Sequence, residues 1–176
     1  MGISRLFRWL FQRKETGLDL ESTFSKGAKV NTVQNAHGRF GYSSTNPVPV
    51  EDQKGQIDYL ACLRCPCGEP FAFHRIGSFG SGPDGHVIDG YEILCRTRKH
   101  KLVLFMDMYH SGPSDLVPDG LTRGEPEGIG LPFHVKRFPH GLADAFKQLA
   151  QMHRESADND SKQSPPGDLV KAAPDE

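Results

Sequence analysis

The chain has 176 residues, 36% of them apolar, with 19 glycines, 13 prolines and a net charge of −1. That composition fits one modest core carrying long loops or appendages, and it excludes a transmembrane bundle and a uniformly basic nucleic-acid coat. No apolar run approaches the ~18 residues of a membrane span.

Residues 3–14 carry helical periodicity. Ile3, Leu6, Phe7, Leu10 and Phe11 share one face, and Arg5, Arg8 and Gln12 the other. This basic amphipathic leader, residues 1–15, is suited to lie on an anionic membrane surface, to dock in a partner's groove, or to pack on its own domain. Arg8 breaks its apolar run, and no small-residue cleavage site follows, so it is not read as a signal peptide. The chain therefore reads as cytoplasmic, peripheral to a membrane if the leader binds one, with reduced thiols.

Residues 16–55 read as an extended linker, and the prolines of Asn46-Pro47-Val48-Pro49-Val50 hold its end away from helix. The core domain is expected over 56–154. Ile57, Tyr59 and Ala61 alternate with Asp58, Leu60 and Cys62, as on a strand. A cysteine-rich turn precedes a return strand at Phe71–Ile76. Gly77 to Gly85 is a glycine-rich loop ending in the turn Pro83-Asp84-Gly85. Val87, Asp89, Tyr91 and Ile93 alternate with Ile88, Gly90, Glu92 and Leu94 as a third strand. The apolar run Leu102–Met106 predicts a central strand covered on both faces.

These segments predict an α+β fold: a small antiparallel sheet of about four strands, an N-terminal amphipathic helix and a C-terminal helix packed on the sheet. Residues 110–140, rich in Gly and Pro, read either as a functional loop or as a wrap over the sheet fixed by Leu131, Phe133, Val135 and Phe138. The C-terminal helix is expected over 141–153, with Leu142, Phe146, Leu149 and Met152 or His153 on one face. From 155 to 176 the polar composition predicts a disordered tail.

All four cysteines fall in Cys62-Leu-Arg-Cys65-Pro-Cys67-Gly68 and at Cys95. Reduced cysteines clustered in this way read as ligands of a structural zinc: Cys62, Cys65, Cys67 and Cys95, with His100 as the alternative ligand. Cys65-Pro66-Cys67-Gly68 resembles a zinc-ribbon knuckle, with one residue rather than two between its cysteines. The competing reading makes Cys62 and Cys95 ordinary buried strand residues.

Two further groups could carry function. The basic turn Arg96, Arg98, Lys99 and Lys101 could track phosphates, which would make the chain a zinc-ribbon-like nucleic-acid binder. His74, Asp107 and His110 stand at predicted strand ends and could form the centre of a small hydrolase or nuclease, as a base with an orienting carboxylate or as metal ligands. No complete catalytic motif is present. The leading expectation is thus a non-enzymatic interaction or adaptor module that binds a protein partner.

Overall fold

The structure, a computed structural model, describes residues 30–163. The leader helix expected over 3–14 lies outside the described residues, as does the tail beyond 163. In chain order the elements are β1 (Val48–Pro49), α1 (Asp52–Cys62), β2 (Leu63–Arg64), β3 (Phe71–Ser81), β4 (Val87–Cys95), β5 (Lys101–Asp107), β6 (Thr122–Arg123), β7 (Ile129–Leu131) and α2 (Leu142–Gln163). Among the described residues the fold is mixed α+β: a five-stranded sheet of order β1-β5-β4-β3-β7, a two-stranded β2-β6 sheet, and two helices.

β3, β4 and β5 form the expected antiparallel meander, with Phe71 opposite Cys95 and Asp89 opposite Met106. The sheet is extended by parallel edges that local pattern did not reveal: β1 beside β5, and β7 beside β3. Residues 46–50 are extended as their prolines require, and they are built into the domain. Val48 and Val50 are fully buried, and the Val50 N–H donates to the Asp107 carbonyl at 2.8 Å.

The expected first strand at 57–62 is a helix. Ile57, Leu60 and Ala61 are spaced i, i+3, i+4, so the segment fits a helical period as well as an alternating one. The Asp52 carboxylate accepts the Gly55 N–H at 2.8 Å, in the manner of a helix cap, and Lys54 pairs with Asp58 one turn on. The buried face of α1 carries Gln56, Tyr59, Leu60 and Ala61.

The central strand is β4 and not the apolar run at 102–106. β4 is buried on both faces: Ile93 packs in one cluster with Tyr59, Leu60, Phe71, Phe73, Tyr91 and Leu104, while Leu94 packs in another with Leu131, Val135, Phe138, Leu142 and Ala145. Its polar residues disguise it. Asp89 is buried because Gln56 Nε2 (3.2 Å) and Arg75 Nη2 (2.7 Å) donate to its carboxylate, and the Tyr91 hydroxyl donates to Gln56 Oε1 at 2.8 Å. Burial pushes the Tyr91 hydroxyl up to about 12. β5 has only the two-residue β1 on its outer side, so Leu102, Val103 and Phe105 stay half-buried.

Residues 131–138 wrap the second sheet face, the second of the two readings, and the start of α2 closes the same cluster. α2 runs to Gln163, ten residues beyond the expected end at 153. Nothing in Glu155–Gln163 breaks a helix, since the next proline is Pro165. Gln151 donates to Glu155 at 2.9 Å, an i, i+4 pair that supports the helix past its buried first turns. Among the described residues no helix is long and apolar enough to cross a membrane.

Two candidate metal centres

The antiparallel register of β3, β4 and β5 decides which polar residues meet. At one end, Phe71 lies opposite Cys95, so the Cys65–Gly68 turn before β3 faces the 96–100 turn after β4. Each turn is closed by backbone bonds. Gly68 N donates to Cys65 O (2.8 Å) and Cys65 N to Glu69 O (3.0 Å), while Arg98 N donates to Cys95 O (2.7 Å) and Cys95 N to His100 O (3.0 Å). Gly68 has φ +78°, the left-handed region that glycine enters without a Cβ clash.

Cys65, Cys67, Cys95 and His100 thereby converge, their ligand atoms all within 4.8 Å of one another. His100 Nδ1 lies 3.6 Å from Cys95 Sγ and 3.7 Å from Cys67 Sγ. A tetrahedral zinc with ordinary Zn–S and Zn–N bonds places such atoms about 3.6 Å apart. Cys65 Sγ and Cys67 Sγ are 2.6 Å apart, so an ion would spread them toward the ~3.8 Å thiolate–thiolate edge, a movement open to the exposed Cys67.

The thiols differ in acidity. Burial holds Cys65 up at about 11, and its hydrogen bond to Cys67 adds to that. The same bond brings Cys67 down. Burial opposes ionisation of Cys95, but the Thr97 hydroxyl and the His100 backbone N–H outweigh it and bring the thiol to about 6. His100 is raised by its bonds to Cys95 and Cys67. Cys95 is thus the sulfur most readily ionised in the group, beside an imidazole whose pKa is raised.

Cys62 lies outside this group. It ends α1 and lines a separate cleft of about 320 Å³ with Asp58, Tyr59 and Arg123, its thiol raised by burial. The four-donor set is therefore the one with His100 as its fourth ligand.

At the opposite end of β4 the register does the same. Asp89 lies opposite Met106, so three residues outward His86 reaches the level of Tyr109, and their rings are 5.0 Å apart. Asp84 and His86 come from the β3–β4 turn, and Asp107 and His110 from the end of β5. Their ligand atoms also lie within 4.8 Å of one another. Asp107 and His110 had been legible as polar strand ends. Asp84 falls in the Pro83-Asp84-Gly85 turn and His86 between that turn and β4, so neither stands out in the sequence; Asp-x-His answered by Asp-x-x-His is the signal for them.

His74 does not join Asp107 and His110. It is fully buried, its Nε2 lies 3.2 Å from Glu92 Oε2, and its Nδ1 accepts the Val135 N–H at 3.3 Å. It pins the 131–138 wrap to the sheet. Burial lowers its pKa, with the Glu92 carboxylate opposing.

The basic turn is partly spoken for. Arg96 pairs with Glu69 at 3.7 Å, and Lys101 bonds Glu92 (2.9 Å) and the Phe138 carbonyl (3.0 Å). Arg98 and Lys99 are exposed, Arg98 in the left-handed region at φ +61°. Phe71, Phe73 and Tyr91, aromatic rings on the neighbouring strands that could otherwise stack on bases, are buried in the core.

Among the described residues the chain is thus α+β, and its sheet ends in two groups of Cys, His and Asp side chains that could hold a metal ion. No protein-family model, curated protein or solved structure matches it.

Proposed function

We propose that the chain is a non-enzymatic interaction module stapled by a structural zinc at Cys65, Cys67, Cys95 and His100. The observation that carries this reading is that four soft and borderline donors meet from two backbone-closed turns, as a closed structural zinc site requires. The likeness of Cys65-Pro66-Cys67-Gly68 to a zinc knuckle belongs to the same reading. Zinc here ties the start of β3 to the β4–β5 turn and fixes the shape of the exposed Arg96–Lys99 loop. That loop, cationic and held by its own turn, is the surface offered to a protein partner with an acidic face. Nucleic acid is the weaker partner, because Arg96 and Lys101 already have carboxylate partners.

The test is elemental analysis of protein purified without a metal-affinity tag, with Cys65→Ser and Cys95→Ser beside it. Zinc should be present and each variant should lose one equivalent per chain. Equal zinc in wild type and both variants sinks the staple. Multiple turnover in a substrate screen, abolished by His110→Ala with the fold intact, sinks the non-enzymatic reading.

A further inference from the structure

We propose that Asp84, His86, Asp107 and His110 form a second metal site, one that takes a divalent first-row transition ion through two imidazole nitrogens and two carboxylate oxygens. The inference stands apart from the zinc staple, since it uses other residues, another donor set and the other end of β4.

The first argument is geometric. His86 Nδ1 lies 3.1 Å from Asp84 Oδ2 and 3.2 Å from Asp107 Oδ2. His110 Nε2 lies 3.3 Å from Asp84 Oδ2 and 3.1 Å from Asp107 Oδ2. Each nitrogen carries at most one proton in this direction, yet each stands at similar distance from two carboxylate oxygens. A charge-assisted N–H···O bond would draw one of them to about 2.7–2.9 Å and release the other. Metal–N and metal–O bonds of about 2.0–2.1 Å instead give a tetrahedral edge of about 3.3 Å. Four nearly equal N···O separations are edges of such a polyhedron.

The second argument is preorganisation. Each aspartate has its other oxygen held by backbone: Asp107 Oδ1 accepts the Tyr109 N–H at 3.1 Å, and Asp84 Oδ1 accepts the His86 N–H at 3.3 Å. Both Oδ2 atoms are thereby aimed at the common point. Such outer bonds orient ligands and are a regular part of built metal sites.

The third argument is burial. The Asp107 side chain is fully buried and that of His110 is 10% exposed, with a second carboxylate alongside. Two carboxylates converging beside a buried strand end call for a compensating cation. The donors contain no sulfur, so the site selects a harder ion than the thiolate set does, from the range zinc, ferrous iron or manganese. His86, at 38% side-chain exposure, marks the side from which the ion enters.

Cobalt(II) titration of the full-length chain, freed of metal by chelator, tests this. The thiolate site gives sulfur-to-cobalt charge-transfer absorption; a nitrogen–oxygen site gives weak d–d bands alone. Two equivalents are expected, one with the charge-transfer band and one without. His86→Ala and Asp84→Asn, both at the partly exposed turn, should weaken the second equivalent by about tenfold or more and leave the charge-transfer band unchanged. Cys95→Ser should do the reverse. Manganese, added to zinc-loaded protein and followed by its electron paramagnetic resonance signal, should bind wild type and not His86→Ala. One equivalent in folded wild type, or a second that survives both turn variants at equal affinity, overturns the proposal. Loss of the charge-transfer band alone would count against the zinc staple and leave this site standing.

Discussion

His86 and Cys95 bracket β4, the one directly before its first residue and the other at its last. A nine-step strand spans about 30 Å at the usual rise per residue. The two donor sets are therefore organised by one strand and are far apart. Ions at the two ends do not share ligands, and their effects on stability should be separable.

Additivity follows. Cys95→Ser and His86→Ala should each lower the unfolding temperature of metal-loaded protein, and the double variant should show the sum to within about 0.5 kcal/mol. Free zinc at about a thousandfold over its dissociation constant stabilises a folded state by about 4 kcal/mol, or roughly 10 °C for a chain of this size. Chelation of wild type should cause a drop of that order, and Cys95→Ser should be less sensitive to the same chelator. Calorimetry with and without chelator measures both. Equal chelator sensitivity in wild type and the double variant would contradict the expectation.

His74 predicts a pH dependence. Its neutral form accepts from the Val135 N–H and faces Glu92 and the His134 ring, while Lys101 also holds Glu92. Burial lowers its folded pKa below the ordinary value near 6.5. A base with a lowered folded pKa binds protons more readily when unfolded, so stability rises with pH in that window. The contribution of His74 is full above about pH 6.5 and is lost as pH falls through the folded value. The slope is at most about 1.4 kcal/mol per pH unit. His74→Gln should flatten the slope and cost about 1–3 kcal/mol at pH 7.5. Urea unfolding at pH 7.5 and 5.5 gives the difference, and subtracting variant from wild type removes titrations common to both. An unchanged slope would remove His74 as its source.

The meander was legible because Phe71–Ile76, Val87–Leu94 and Leu102–Met106 are rich in β-branched and aromatic residues and lie between turn residues. What escaped is what depends on tertiary contacts. α1 was hidden because six residues of mixed pattern, 57–62, fit two periods, and Asp52's capping role shows only in three dimensions. β1 and β7 are two and three residues long and pair in parallel with distant strands, so no local pattern marks them. The thiolate set was half legible: spacing picked out Cys65, Cys67 and Cys95, but the choice between Cys62 and His100 needed to know that Cys62 ends a helix. The second cluster depended on register, which polar residues in a glycine-rich turn do not disclose.

Arg64 ties β2 to the 124–128 segment that runs between β6 and β7. Its side chain is nearly buried, its guanidinium donates to the Leu63 carbonyl at 3.0 Å and to the Glu125 carbonyl, and it pairs with Glu127 at 3.1 Å. Lysine carries the charge but cannot reach several acceptors in one plane. Arg64→Lys should cost about 1–3 kcal/mol, through carbonyls left unpaired beside β6. Denaturant midpoints at constant m-value measure it. A change under about 0.5 kcal/mol, as for an ordinary surface site, would mean that the guanidinium bonds contribute little to holding the 124–128 segment.

Two glycines separate space from conformation. A Cβ on Gly128 would come within 2.8 Å of Ala61 Cα and 3.1 Å of the Phe71 carbonyl oxygen, both backbone atoms that cannot swing aside. The Gly128 N–H also donates to the Ala61 carbonyl at 2.9 Å, so a shift would break the contact that seats β7 beside α1 and β3. Gly68 is the opposite case: nothing lies within 4 Å of its virtual Cβ, but its φ is +78°. Gly68→Ala should therefore cost about 1–2 kcal/mol, the ordinary penalty of a left-handed alanine. Gly128→Ala should cost more, about 2–4 kcal/mol, as overpacking against backbone does. Gly68→Ala should also weaken cobalt binding with charge-transfer absorption, because the turn presents Cys65 and Cys67, whereas Gly128→Ala should leave that affinity unchanged in whatever fraction folds. Equal losses of stability in the two variants, with cobalt affinity moved in neither, would mean that Gly128 does not seat β7 against α1 and that the Cys65–Gly68 turn does not set the ligand geometry.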